Sequence, residues 1–289
     1  MQWNRFVAGV CLGLLGASPV WAFRTADSGS IGRDRIQETE RRFQVREHAE
    51  RYRFTVVDAN GHSDTGEMLL LYRYEPTAVF GVFRVLPEGN APGATLINVQ
   101  RNNAKPQLFV DDPLQRLSGE VPLRELNRQL GRTLWRLEGI LDDDKNPWTF
   151  ETQQPVHYGG TLCDVVDQRY DDDVFARAVN YFKRRVFIDR NYRHRIRTEF
   201  LTRAEEMIYC IELLEIEEVT IDGRTQSRTK RMLLSDFPRH QNMLLVRVGS
   251  AWNPDLPDAL FQPDQLADWG ERYDATIIAL TTDNDTAAE

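Results

Sequence analysis

Residues 66–85 read "GEMLLLYRYEPTAVFGVFRV", two β-strands joined by the turn Glu75-Pro76-Thr77. A half-buried antiparallel strand alternates apolar and polar residues. This stretch does not. Met68, Leu70, Tyr72 and Tyr74 share one face, while Leu69 and Leu71 occupy the other. In the partner strand, Phe80, Val82 and Leu86 oppose Val79, Phe83 and Val85. A hairpin apolar on both faces must be covered on both. The fold therefore turns on what lies above and below it.

The chain around it is long enough for one large domain or two small ones, at 289 residues. It carries 44 acidic against 36 basic residues, mixed along the sequence. That balance argues against a nucleic-acid partner, whose phosphates need a basic face. Past the N-terminus, no stretch approaches the roughly 20 apolar residues of a membrane helix. The N-terminus itself has the layout of a secretory signal peptide. Arg5 leads an apolar core from Phe6 to Gly16, and Val20 and Ala22 stand at −3 and −1 of a cut after Ala22. Cys11 lies inside that core, so it is not placed for lipidation. The expectation is a soluble exported protein beginning at residue 23. Removing Arg5 from the 36 basic residues would leave 35. Two cysteines would remain, Cys163 and Cys210. In an oxidising compartment they are consistent with a disulfide, and equally with two buried thiols that never meet.

Residues 31–50 carry Ile36 and Phe43 seven apart, which predicts an amphipathic helix. A β-rich run follows. "RYRFTVVD" places Tyr52, Phe54 and Val56 on one face, and Asn60-Gly61 marks a turn. "ATLINVQ" and "PQLFVDD" read as further strands. Residues 121–131, "VPLRELNRQLG", predict a short helix, with Pro122 at its start, Leu123, Leu126 and Leu130 on one face, and Gly131 as a stop. "DDDKNP" reads as a turn before an aromatic strand at Trp148 and Phe150. The meander resumes at "GGTLCDVVDQR", turns at Arg190-Asn191 and again at Asp222-Gly223, and closes with "NMLLVRVGSAW". "NPDLPDALFQPDQL" reads as a turn and short helix. Residues 271–289 are expected to hold a last strand, "DATIIALTT", and a frayed tail.

Signatures of catalysis are missing. The five histidines (His48, His62, His157, His194 and His240) show no metal-binding spacing. There is no phosphate loop, Cys-x-x-Cys or Gly-x-Ser-x-Gly. The runs Asp142–Asp144 and Asp171–Asp173 match no calcium loop. The composition argues for a binder with no cofactor rather than an enzyme. Two-faced strands fit either a packed sandwich or an open barrel around an apolar cavity.

The order of parts resembles the LolA-like family of outer-membrane lipoprotein-sorting proteins. That order is an export signal, a helix, a β-meander with a helix inserted midway, and the ending Asn253, Leu256, Asp258, Leu260, Phe261. The resemblance spans residues 31–266 and rests on "SDTGEMLLLYRYEP" (63–76), "FRVLPEGNAPGATLINVQ" (83–100), "PQLFVDDPLQRLSG" (106–119), "RRVFIDRNYRHRIRTEFL" (184–201) and "NPDLPDALFQPDQL" (253–266). It implies a mainly β fold with inserted helices over residues 23–270. The barrel would be incomplete and antiparallel, with a helical lid over a hydrophobic cavity for acyl chains. The site residues it suggests are Phe54, Tyr72, Tyr74, Phe80, Phe83 and Leu96, each of which ordinary core packing would also explain. In LolA itself an Arg-Pro pair follows the second strand and the arginine bonds lid backbone. Arg73 is the nearest match here, but Glu75-Pro76 breaks the pair. Arg73 is thus either a lid latch or an outward strand arginine. The implied function is a periplasmic carrier of lipoprotein or lipid cargo, with transient membrane contact and an inner-membrane transporter as a partner. A signalling or scaffold protein that grips a membrane-anchored partner with the same fold is the alternative.

Overall fold

The computed structural model describes residues 28–42, 45–102, 104–140, 148–170 and 173–282. The expected signal peptide, the "DDDKNP" turn and the terminal "DNDTAAE" lie outside these residues. So do Asp142–Asp144 and Asp171–Asp172.

Thirteen strands form one antiparallel sheet. In chain order they are β1 (Glu47–Val57), β2 (Ser63–Glu75), β3 (Ala78–Val85), β4 (Ala94–Arg101), β5 (Gln107–Asp112), β6 (Leu117–Glu120), β7 (Trp148–Tyr158), β8 (Thr161–Tyr170), β9 (Lys183–Asp189), β10 (Arg195–Leu201), β11 (Met207–Ile221), β12 (Arg224–Asp236) and β13 (Gln241–Trp252). Their spatial order is β6-β5-β4-β3-β2-β1-β13-β12-β11-β10-β9-β8-β7. Two meanders therefore meet where β1 pairs with β13. The free edges, β6 and β7, do not pair, so the sheet is an open half-barrel. Yet β6 and β7 are consecutive in sequence. Of the chain that leads from one edge to the other, residues 123–140 lie over the inner face. Register shifts at Arg51/Tyr52 and around Glu215 mark bulges, which bend and twist a sheet.

The two faces of the β2–β3 hairpin enter separate cores. On the inner face, Met68, Leu70, Phe83 and Val85 join Phe54, Leu96, Leu126, Leu130, Leu134 and Leu137. On the outer face, Leu69, Leu71 and Val82 join Ile97, Leu256, Leu260, Phe261, Trp269 and Ile277. Each fully buried aliphatic side chain contributes about 1.5–3 kcal/mol, so the doubly apolar hairpin is the axis of both cores.

The coverings differ from expectation in three places. The N-terminal helix, α1, spans Ser28–Arg42, not 31–50. Residues 47–50 belong to β1, where pairing with β2 and β13 outcompetes helical continuation. Ile36, on α1, packs on Val166, Val186 and Ile188. Residues 121–131 form only a one-turn 3-10 helix at Leu123–Glu125. Backbone bonds Leu130 N to Trp135 O, Leu137 N to Arg128 O and Glu138 N to Leu126 O instead fold the segment into a looped hairpin. Gly131 turns it with φ 56°, and its N–H donates to the buried Asp112 carboxylate at 2.5 Å. Finally, "DATIIALTT" is not a strand. It lies in helix α3, Trp269–Thr282, in which the expected boundary at 270 falls. Trp269, Tyr273, Ile277 and Thr281, four apart, face the sheet, and that burial overrides a β-branched composition. A short helix α2, Asp173–Val179, caps the β8–β9 connection.

Candidate functional site

The inner face is only partly filled. The 123–140 segment packs into the end of the trough around Phe54, Met68 and Leu96. Beyond it lies a cavity of about 430 Å³. Its walls are Tyr72 and Tyr74 on β2, its floor Phe200, Ile211, Leu213 and Met232 on β10–β12, and its roof Glu138–Ile140 and Thr39 of α1.

The roof is fastened from the sheet and from the α2–β9 connection. Tyr209 donates its hydroxyl to Leu134 O at 3.0 Å, and Tyr181 donates to Glu138 at 3.1 Å. Asn98 Nδ2 reaches Ile140 O at 3.3 Å. Burial pushes the Tyr181 and Tyr209 hydroxyls far up, so both remain donors.

One wall is an aromatic stack. Tyr72 and Tyr74 lie nearly parallel, 5.9 Å apart. His48 of β1 stacks on Tyr72 at 5.2 Å and lies 5.7 Å from Trp252. Burial holds its imidazole pKa down to about 4. Glu50 opposes that shift, while Arg228 and Arg247 reinforce it. His48 is therefore a neutral ring in the wall.

The lining is not uniformly apolar. Arg184, Arg195 and Arg228 border the cavity, with Glu138 as the acidic counterpart. Gln168 borders it too and is wholly buried, its amide lacking any hydrogen-bond partner among the described residues.

Of the site residues expected from sequence, Tyr72 and Tyr74 line the cavity. Phe54, Phe83 and Leu96 share their face but are sealed beneath the 123–140 segment. Phe80 faces the opposite way, 6.0 Å from Phe261 in the outer core. Arg73 also points outward but is not free. It donates to Glu47 at 2.7 Å, to Asp258 at 2.5 Å and to the backbone carbonyl of Leu256, and it lies 4.8 Å over the Phe261 ring. It does latch covering backbone, but on the face away from the cavity. Cys163 and Cys210 are free and buried. They sit on β8 and β11 with two strands between them, three strand spacings or about 14 Å apart. A disulfide needs Cα atoms within about 7 Å, so the two are not bridged.

Sequence reading missed His48, Gln168, Arg184 and Arg228. Strand parity carried a signal for the first, because His48 shares the two-residue period of Tyr52, Phe54 and Val56. The others sit on strands whose inner face could not be assigned before the topology was known.

Among the described residues no helix is long and apolar enough to cross a membrane, and no acidic, histidine or cysteine cluster could hold a metal. No protein-family model matches the sequence, and no curated protein resembles it. Solved structures do match. A putative outer membrane lipoprotein-sorting protein domain from Vibrio parahaemolyticus superposes with a TM-score of 0.71 at 14% identity, covering 82% of this chain and 99% of that one. A DUF1329 family protein from Desulfovibrio piger gives 0.71 at 12%, covering 83% and 99%. A LolA superfamily protein from Nitrosomonas europaea gives 0.60 at 15%, covering 81% and 99%. The open antiparallel half-barrel is thus the fold this chain shares with lipoprotein-sorting and LolA superfamily structures.

Proposed function

We propose that the protein is a carrier that takes up the acyl chains of lipoprotein or lipid cargo on the inner face of its half-barrel and hands them between envelope membranes. The observation that carries this reading is the cavity of about 430 Å³ beside the roof segment. That volume lies in the range of about 300–1,000 Å³ typical of small-molecule sites. Tyr72, Tyr74, Ile211, Leu213 and Met232 offer an apolar track for a chain. Each methylene leaving water contributes about 0.8 kcal/mol, so affinity needs no catalytic group. In this reading the chain is exported by the leader ending at Ala22, works in the periplasm, receives cargo from an inner-membrane transporter and touches membranes transiently.

The test is to isolate residues 23–289 from the periplasm and identify bound lipid by mass spectrometry. A stoichiometric acyl-containing ligand, displaced by a fluorescent fatty acid, is the expected result. An empty protein that fails to take up the probe would overturn the carrier and favour a scaffold that grips a membrane-anchored partner.

A further inference from the structure

Gln168 is the anomaly of the cavity. Its side chain is wholly inaccessible to solvent, it borders the cavity, and neither Oε1 nor Nε2 has a hydrogen-bond partner among the described residues. A buried amide left unsatisfied at both ends is costly, and native folds rarely keep one without a use for it. Across the β8–β9 ladder its register partner is Arg184, a second cavity residue that is nine-tenths buried. The Arg184 guanidinium lies 4.1 Å over the Trp148 ring, which fixes its plane. The lining as a whole sets three arginines against one glutamate, inside a chain whose net charge is −8. A purely hydrocarbon cargo would leave the Gln168 amide unanswered.

We propose that the cavity selects an acyl amphiphile with an anionic, hydroxyl-bearing head group of the phosphoglycerol type, and that Gln168 and Arg184 receive that head. The amide requires both an acceptor and a donor. A phosphate oxygen accepts from Gln168 Nε2, and a glycerol hydroxyl donates to Gln168 Oε1. Arg184 supplies the positive charge that a phosphodiester needs out of water. The acyl chain then runs toward Ile211, Leu213 and Met232. This inference deepens the carrier reading and rests on it.

The experiment titrates the mature chain, residues 23–289, with two soluble lipids of identical chains, dihexanoyl phosphatidylglycerol and dihexanoyl phosphatidylcholine. Free glycerol 3-phosphate is the third titrant. The expected result is a preference for the phosphoglycerol lipid of about tenfold or more, the scale of one charge-assisted hydrogen bond. Gln168→Leu and Arg184→Met are each expected to reduce that preference to about twofold or less. Equal affinity for the two lipids in the unmodified protein overturns the head-group inference and leaves the carrier reading standing. So does a preference that survives both substitutions. Glycerol 3-phosphate binding as tightly as the lipid overturns it in favour of a soluble anion. Binding of no titrant overturns the carrier reading as well. The comparison of lipids on the unmodified protein stands even where a variant fails to fold.

Discussion

The outer and inner faces of the β2–β3 hairpin are covered by different devices, with different results. Outside, residues 256–282 lie flat on the sheet and close it. Arg73 clasps Leu256 and Asp258 through a buried pair with Glu47, whose other oxygen accepts from Leu256 N at 2.7 Å. Farther along, Arg84 grips Asp274 of α3 at 2.8 Å. Inside, the roof is a loop held mainly by hydrogen bonds from Tyr181, Tyr209 and Asn98, and it stops short of filling the trough. One side is built to stay shut. The other keeps a space with polar groups in its wall. Two faces of one hairpin, equally apolar near Leu69 and Leu70, thus end in a closed core on one side and a partly filled trough on the other.

The largest effect that would break this contrast is at the outer clasp. Arg73→Met leaves Glu47 buried with only the exposed Arg46, 3.8 Å away, and removing one partner of a buried pair costs about 3–5 kcal/mol. Denaturant unfolding should show that loss, with proteolysis entering first near residues 253–262. A loss below about 1 kcal/mol would mean that the clasp does not hold the outer cover.

On the inner face, His48 gives a pH signature. Burial depresses its pKa to about 4, against an unfolded value near 6.5. Between those values the unfolded chain binds the proton and the native ring does not. Its contribution is therefore complete above pH 6.5 and is lost as pH falls through about 4, by about 3 kcal/mol. His48→Phe should flatten that part of the stability profile. An unchanged slope would show that the ring is charged and paired rather than neutral in the aromatic wall.

A smaller loss, about 1–3 kcal/mol, is expected from Gly249→Ala on β13. A Cβ there would lie 2.0 Å from the carbonyl oxygen of Thr281, so the end of α3 must lift. Thermal unfolding and hydrogen exchange in α3 would report it, and probe uptake on the inner face should persist.

Leu213→Trp tests the reverse. The side chain is half-buried at the cavity floor, so stability should move by no more than about 1 kcal/mol while fluorescent fatty-acid uptake is lost. Uptake that persists would place the binding space elsewhere. The smallest effect is at the cysteines. Since Cys163 and Cys210 are unbridged, a reductant should leave Tm unchanged. A drop in Tm would contradict the strand order that separates them.

Much of the sheet was legible because strand signals are local. The turns at Asn60-Gly61, Glu75-Pro76, Arg190-Asn191 and Asp222-Gly223 each separate strands where expected. The alternation of Tyr52, Phe54 and Val56 followed from side-chain period alone. The coverings were harder. Residues 121–131 have a helix-like leucine spacing, but Leu123 stays exposed and the backbone bonds run across a loop. Residues 274–282 have a strand-like composition, but one helical face meets the sheet. In both, local propensity of a few tenths of a kcal/mol per residue was outweighed by packing against strands distant in sequence.

The sequence by itself determined that both faces of 66–85 must be covered, because a two-residue period with apolar residues on both parities admits no solvated side. It also determined the strand–turn order of the meanders. Only the tertiary structure decided which cover goes where. Pairing of β1 with β13 brings the chain's two halves together and leaves β6 and β7 as open edges, and residues 123–140, which leave β6, pack on the inner face. The same pairing sends the C-terminal segment to the outer face, turning Phe80 and Arg73 away from the cavity and Tyr72 and Tyr74 toward it. Parity sorts residues into two sets from the sequence. Which set faces inward is fixed by contacts nearly two hundred residues apart, such as Glu50 with Arg247.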